Sequence, residues 1–452
     1  MNDKTISVPL PEGFIKEMRS LPGIDSEALL RSLDLPPAIG VRFNSRKPSH
    51  TGLELSETVD WCPQGRWLST RPRFTLMPEL HAGAFYVQDP SSMIHREIVS
   101  RLADEPVAVV DFCAAPGGKT TAALDALPDG SVMIANEFEP SRVGALKENL
   151  TKWGYPGVAV TNADTKVFRS LKGFIDIAIV DAPCSGEGMM RKEAAARTQW
   201  SEGLVRQCAA IQWEIIGNAI EALKPGGYLI YSTCTFNLTE NENMLIRMRD
   251  EMGMVPVDMN LPADWGIGAS LADIPAIRFM PHITRGEGLF VGVMQKSGNL
   301  DSGLKRRHQK KAPRHDKIPI DGLIINPENY ILENKGNTFQ AIPIPLHILL
   351  SELPSRTKIL SAGVEIGEMK GKDFIPSPAL ALSSALRHGE FPETELSRDE
   401  AIAFLRREPL LPSGETARGI NLVCHGHLPL GWIKNIGSRA NNLYPQAWKI
   451  RS

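Results

Sequence analysis

The stretch that most limits how this chain can fold runs from Val107 to Leu127. An apolar run, Val107 to Val110, meets the small-residue loop Asp111-Phe112-Cys113-Ala114-Ala115-Pro116-Gly117-Gly118-Lys119. The loop opens into an Ala/Leu-rich segment, Thr120 to Leu127, that reads as a helix. Strand, glycine loop, helix is how an open α/β sheet presents backbone N–H groups to a bound cofactor. Gly117 and Gly118 have no Cβ, so a ligand can approach the main chain closely.

Two cofactors compete for such a loop. Gly118-Lys119-Thr120 ends like a nucleotide phosphate loop, and Ile177 to Asp181 resembles its magnesium-binding partner strand. A phosphate loop, however, needs a glycine five positions before its Lys-paired glycine. That position is Cys113, and Pro116 interrupts the loop. The other reading is an S-adenosylmethionine loop, and the later strands favour it. A nucleotide-dependent RNA-binding or assembly factor is the out-of-class alternative.

The strands alternate with helical segments from about residue 90 to 298. Val107 to Phe112 is the first, and Ser131 to Glu137 the second. Val158 to Asn162 is the third, Ile175 to Val180 the fourth and Tyr228 to Tyr231 the fifth. Glu137 closes the second strand about 20 residues past the glycine loop, where an acid accepts hydrogen bonds from ribose hydroxyls. Asp164 follows the third strand; it is placed to bind an adenine amino group, or to cap the next turn. The fourth strand closes on Asp181-Ala182-Pro183-Cys184-Ser185-Gly186-Glu187-Gly188, the fifth on Ser232-Thr233-Cys234-Thr235. In a doubly wound sheet strands one, four and five are neighbours, so Cys184 and Cys234 are expected at one rim beside the cofactor loop. Arg278 to His282 and Gly286 to Val293 read as an antiparallel pair finishing the sheet, with His282 as a structural residue.

The flanks read differently. Residues 1–80 form a small α+β domain, with helical spacing at Gly13–Leu21 and Asp25–Leu33 and a short strand at Ile39–Asn44. Arg42 and Asn44 on that strand suit either structural bonds or RNA contacts. A methyltransferase-type domain spans 81–298. A basic linker, 299–318, holds Lys305-Arg306-Arg307-His308-Gln309-Lys310-Lys311, read as a solvated linker or an RNA phosphate contact. Residues 319–452 form a separate β-rich unit, with a possible split near 385 and paired strands at Asn421–Cys424 and Leu428–Lys434. It suits an RNA-binding barrel using Lys434, Arg439 and Asn442. Net charge is −2, so no global positive field advertises nucleic acid. With 42% hydrophobic and 23% charged residues the chain is globular. It carries no apolar run approaching the roughly 20 residues of a membrane span. The polar start, Met1 to Pro11, lacks a signal-peptide core, so a cytoplasmic protein is expected. Six cysteines without CxxC or Cys/His spacing predict reduced thiols and no metal.

Two cysteines and a carboxylate beside a methyl donor fit one kind of chemistry. Carbon 5 of cytosine is too poor a nucleophile to take a sulfonium methyl unaided. A thiolate added to carbon 6 makes the ring an enamine and enriches carbon 5; one hard step becomes two easier ones. Asp181 is placed to stabilise the adduct at ring nitrogen 3. A second cysteine can assist the final elimination. The nucleophile must be ionised, yet a free thiol has a pKa of about 8.5, which makes Lys119 and the sulfonium candidate perturbers. A stacked base is out of reach, so the target is a single-stranded or flipped nucleotide. Gly186, Gly188, Arg191 and Lys192 offer a basic lip for its phosphates, or a plain helix start. Which cysteine attacks is open on the residues alone.

The strings at 111–119, 181–188 and 232–235 resemble the RNA cytosine-C5 methyltransferases of the NOL/NOP/Sun class. The match runs from about Arg42 to Val293. Asp181 to Lys192, Ala135-Asn136-Glu137-Phe138 and the C-terminal tail are similar to its bacterial RsmF branch, which acts on small-subunit ribosomal RNA near the decoding centre. The resemblance implies a Rossmann-like S-adenosylmethionine core with a PUA-like C-terminal module. It implies Cys234 as nucleophile, Cys184 as the aid to product release, and Asp181 and Lys119 beside them. It implies cofactor binding by Cys113, Ala114, Ala115, Pro116, Gly117, Gly118, Lys119, Glu137, Arg142, Asp164 and Asp181. The expected partner is 16S ribosomal RNA, in the small subunit, with transfer RNA as the in-class alternative; a monomer without membrane or metal partners is expected.

Overall fold

The computed structural model describes residues 8–298, 322–409 and 416–451. The basic cluster at 305–317 lies outside them. Helices α1 (Glu12–Ser20) and α2 (Ser26–Ser32) precede a four-stranded sheet. That sheet holds β1 (Gly40–Phe43), β2 (Leu55–Val59), β3 (Cys62–Leu68) and β4 (Phe85–Val87) in the order β2-β3-β1-β4. β4 lies past residue 80, so the first sheet reaches further along the chain than its expected boundary.

Helix α3 (Ile94–Leu102) leads into the central sheet. Its parallel strands are β5 (Ala108–Asp111), β6 (Val132–Asn136), β7 (Val158–Thr161), β8 (Ile175–Asp181) and β9 (Leu223–Thr233). Between them run helices α4 (Gly118–Ala126), α5 (Pro140–Trp153) and α6 (Glu202–Ala222). β5 is buried at every position, as a parallel strand covered on both faces must be. Val109 packs into the core on one face with Ile98, Leu124 and Leu146. Ala108 and Val110 pack into the other with Ile216 and Ala219. Strand order is β9-β8-β5-β6-β7, so the chain reverses direction across the sheet between β5 and β8. The crevice opens at the C-terminal ends of those two strands.

Antiparallel strands finish one side: β10 (Met254–Pro256), β11 (Gly268–Ala269), β12 (Ile277–Phe279) and β13 (Leu289–Lys296), with β13 on β9. The expected pair at 278–293 is thus present as β12 and β13.

The C-terminal region departs from a separate unit. It begins with the hairpin of β14 (Tyr330–Lys335) and β15 (Thr338–Pro343), then α7 (Ile344–Ser351) and β16 (Ile359–Ala362). β16 pairs antiparallel with β7 and becomes the outer strand of the central sheet. Leu346 and Leu349 of α7 sit in the same core as α6. The physical reason is the exposed edge of β7: its unpaired backbone groups and apolar flank need a cover, and this segment supplies one. β17 (Val364–Lys370) and β18 (Asp373–Pro376) complete a sheet in the order β14-β15-β17-β18. The last sheet has β19 (Glu393–Glu395), β20 (Gly419–His425), β21 (Leu428–Asn435) and β22 (Ala440–Asn442), with β20 and β21 the expected hairpin.

Candidate active site

The glycine loop links β5 to α4. At its start Asp111 is fully enclosed: Oδ2 accepts from Thr120 Oγ1 at 2.7 Å, and Oδ1 from the Cys113 N–H at 3.3 Å. Burial outweighs those bonds and pushes the carboxyl up to about 7. Gly117 has φ of 108°, a left-handed turn that an L side chain rarely adopts. From α5, Arg142 Nη2 donates to the Ala115 carbonyl at 2.6 Å and Asn149 Nδ2 to that of Pro116 at 2.9 Å. The Ala114 N–H bonds the Asn136 carbonyl at 2.8 Å. The loop is therefore fixed from below, before any ligand arrives. Arg142 serves it as a brace.

Glu137 directly follows β6 and is buried. Its Oε1 accepts the Glu139 N–H at 2.8 Å, while Oε2 is buried with Arg142 Nη1 3.5 Å away and accepts no hydrogen bond from the described residues. A buried carboxylate oxygen without a donor is costly, and two vicinal hydroxyls would satisfy it. That fits the ribose of S-adenosylmethionine. Phe138 beside it is 64% exposed, an aromatic face at the crevice that the sequence argument quoted without assigning a role. Asp164 is exposed and caps the following turn, accepting the Lys166 N–H at 2.9 Å. The capping alternative is thus present for that residue.

Asp181 ends β8. Ser232 Oγ donates to its Oδ1 at 2.9 Å, and Lys119 makes an ion pair with the same oxygen. Burial alone would lower the Lys119 pKa, but the charge and hydrogen bond of Asp181 outweigh it and raise it; Cys234 and Cys184 add smaller effects. Lys119 therefore stays cationic within reach of both thiols. Behind Ser232 lies His95 of α3, which the sequence argument missed. Its Nε2 is 3.2 Å from Ser232 Oγ and its Nδ1 3.2 Å from the Ser92 carbonyl. A carbonyl only accepts, so the ring proton sits on Nδ1, and Nε2 and Asp181 Oδ1 both face the single Ser232 hydroxyl proton. Burial first, then the charge of Lys119, pushes His95 down to about 3 and keeps it neutral.

The loops after β8 and β9 bring Cys184 Sγ and Cys234 Sγ to 3.2 Å. Hydrogen bonding to Cys234 comes first among the causes that raise the Cys184 pKa well above that of a free thiol, and burial second. The protonated form of Cys184 is therefore favoured, and either sulfur can donate across the contact. Cys113 is also raised far up, by burial and then Asp111, which makes it an inert thiol.

Two buried glutamates hold these loops, and only one of them stood in the motifs read from sequence. Glu240 accepts the Ser185 N–H at 2.9 Å, Gln212 Nε2 at 2.8 Å and the Ser185 hydroxyl. Glu187 accepts the N–H groups of Phe236 at 2.6 Å and Asn237 at 3.0 Å, and Trp200 Nε1 at 3.0 Å. Asn237 Nδ2 donates to both carboxylates at 2.9 Å. Each cysteine loop is tied to an acid, and one amide ties the acids together. Gly188 completes the contact: its N–H bonds the Cys234 carbonyl at 2.8 Å, and a Cβ there would stand 2.9 Å from the Gly288 carbonyl oxygen.

Several expected RNA contacts are occupied internally. Arg42 is buried; it pairs with Asp125, donates to Gln88 Oε1 at 2.8 Å and Thr121 Oγ1 at 2.6 Å, and stacks on Trp153. Asn44 Nδ2 donates to the Gly83 and Trp153 carbonyls at 2.9 and 3.0 Å. Arg191 is committed to the carbonyls of Leu35, Pro36 and Gly286, so the lip has Lys192 alone, 3.6 Å from Glu287. Asn442 Nδ2 bonds the Phe404 carbonyl and its Oδ1 accepts the Tyr444 N–H. Lys434 is 2.6 Å from Asp373, and Arg439 is exposed. The ring nitrogens of His282 have no hydrogen-bond partner among the described residues. Among those residues no His/Cys/Asp/Glu cluster could hold a metal, and no helix is long and apolar enough to cross a membrane.

Three family models match in chain order. The N-terminal domain of 16S rRNA methyltransferase RsmF matches 10–90, 16S rRNA methyltransferase RsmB/F matches 100–295, and the RsmF PUA domain matches 391–450. Ribosomal RNA small subunit methyltransferase F of Erwinia tasmaniensis is 30% identical over 98% of this chain and 97% of its own. The chain belongs to the RsmF methyltransferase family. The counterpart from Escherichia coli strain SE11 is also 30% identical, over 97% and 96% of the two chains. Among solved structures, a methyltransferase homologue from Pyrococcus horikoshii overlays with a TM-score of 0.55 at 23% identity, covering 63% of this chain and 95% of that one. NSun6 from the same organism, solved with SFG, gives 0.55 at 19%, covering 64% and 99%. These two carry the fold alone. For the RsmF family this fixes the architecture as a Rossmann-like methyltransferase core between an N-terminal domain and a C-terminal PUA domain.

Proposed function

We propose that this RsmF-family enzyme forms 5-methylcytosine in 16S ribosomal RNA near the decoding centre, with S-adenosylmethionine as donor, through a covalent adduct on Cys234. The observation that carries the reading is the 3.2 Å approach of Cys184 Sγ to Cys234 Sγ, beside the Lys119–Asp181 pair at the cofactor crevice. Residues 113–119, Glu137 and Phe138 would hold the cofactor, and Arg142 braces the loop. When bound, it supplies a methyl group on a positive sulfur.

This chain's residues do the rest. The Cys234 thiolate adds through Sγ to ring carbon 6, and the displaced π pair enriches carbon 5. The Lys119 ammonium, held in place by Asp181, stabilises the negative charge that collects towards ring nitrogen 3. Once carbon 5 is methylated, solvent water takes its proton, the C5–H pair re-forms the C5–C6 double bond, and the Sγ–C6 pair returns to sulfur. Cys184, kept protonated, hydrogen-bonds the departing sulfur. Names of the relatives support the ribosomal substrate, and the PUA domain supports an RNA partner.

The test combines mapping and trapping. Bisulfite sequencing of 16S and transfer RNA from cells lacking the protein should show a cytosine in 16S RNA losing its mark. Cys234→Ala should bind S-adenosylmethionine but transfer no methyl. Cys184→Ala should accumulate a denaturant-resistant protein–RNA adduct. Turnover by Cys234→Ala, or absence of that adduct, overturns the assignment; ATP binding in place of S-adenosylmethionine overturns the class.

A further inference from the structure

The wall of the crevice that carries Glu137 and Phe138 has an unusual outer support. Asn162, the residue after β7, sends its carboxamide Nδ2 to two successive carbonyls, those of Glu137 at 2.8 Å and Phe138 at 2.9 Å. Its own backbone N–H is bound at 3.0 Å by the carbonyl of Lys358, immediately before β16. The ladder continues as Thr161 opposite Ile359 and Val160 opposite Ser361. The turn bearing the cofactor acid is thus fastened to β7 by one amide, and β7 is fastened at that point to the C-terminal region.

Asn136 makes a second clamp nearby, but it is internal. Its Nδ2 donates to the Phe112 and Ala163 carbonyls and its Oδ1 accepts from Thr161 Oγ1, all within the Rossmann-like core. Asn162 alone of the two joins the cofactor wall to a strand that comes from beyond residue 350. A carboxylate at this position has no N–H to give and would oppose two carbonyl oxygens. Alanine would leave both carbonyls unbound and the turn free to rotate.

We propose that Asn162 is a positioning residue for the cofactor wall and that β16 holds it in place, so that the C-terminal region is a working part of the S-adenosylmethionine site as well as an RNA-binding appendage. The inference rests on the cofactor reading given above. Ordering the Glu137–Phe138 turn before binding spares the ligand that cost, so its loss falls on cofactor affinity.

The experiment uses the full chain and measures S-adenosylmethionine binding by calorimetry, together with KM for cofactor, KM for RNA and kcat. Asn162→Ala and Asn162→Asp should each weaken cofactor binding and raise its KM by about tenfold, the worth of one or two hydrogen bonds. KM for RNA and kcat should stay within about twofold, a split that general unfolding would not give. Ser361→Pro, which disturbs β16 without touching the core clamp, should move the same parameter in the same direction. Unchanged cofactor affinity in a folded Asn162→Ala protein overturns the inference. If the unaltered protein itself binds no S-adenosylmethionine, the cofactor reading fails instead, and the same titration tells the two apart.

Discussion

His95 shows how much a single enclosed side chain can carry. It stands behind Ser232, which donates to Asp181, so two enclosed groups share one hydroxyl between α3 and the end of β8. Its folded pKa of about 3 lies below the ordinary histidine value. Between pH 6.5 and about 3 the unfolded chain therefore binds a proton that the folded one refuses. The stability this residue contributes is complete above 6.5 and is lost as pH falls. His95→Gln should cost about 1 kcal/mol at pH 7, through the lost hydrogen bonds. The gap to the unaltered protein should close and then reverse as pH drops towards 4.5, because glutamine does not titrate while the buried imidazole costs about 1.4 kcal/mol per pH unit below 6.5. Urea unfolding across that range checks it; parallel curves would mean that the folded imidazole takes up its proton just as the unfolded one does.

At the scale of elements, α7 is the informative case. Its sequence, Ile344 to Ser351, is apolar nearly all round, and it caps the same core as α6. Leu346 is fully buried there. Leu346→Ala should lower unfolding stability by about 2–5 kcal/mol, as cavity-forming changes do in other cores. A loss under about 1 kcal/mol would mean that the helix does not pack on the catalytic sheet.

The elements also show what could be read in advance. The five parallel strands were legible because each is a buried apolar run, and parallel sheets announce themselves that way. The meeting of Cys184 and Cys234 followed from strand order alone. The partner of β7 was not legible: a short segment such as Ile359–Ala362 carries no mark of which edge it will join across roughly 200 residues. Arg42 was ambiguous for a different reason. A basic residue on a short strand looks the same whether its guanidinium meets phosphate or a buried acid, and here Asp125 decides it. Glu240 was missed because Thr239-Glu240-Asn241-Glu242 reads as a helix start, while its carboxylate points back into the cysteine loops.

In the molecule as a whole, the three regions meet at the end of α5. Lys47 from the first region donates to the Ala82 and Lys152 carbonyls at 2.8 and 2.6 Å, and burial lowers its pKa to about 7. A Cβ on Gly83 would stand 1.8 Å from the Lys152 carbonyl oxygen, and one on Gly154 2.1 Å from that of Leu382. Backbone meets backbone at both junctions, which leaves no room for a side chain at either glycine. A chain ending at residue 298 would keep every assigned catalytic side chain yet bare the flank of β7. It should self-associate in light scattering where the full chain stays monodisperse. A monodisperse, fully active shortened protein would refute that role for β16.

The placement of β16 also has a consequence in time. Proteins leave the ribosome from their N-terminus, at about 5–20 residues per second. Roughly 200 residues separate β7 from its cover, so the nascent catalytic sheet waits on the order of 10–40 s with one border open. A methyltransferase of the ribosomal RNA family spends that interval still tethered to a ribosome.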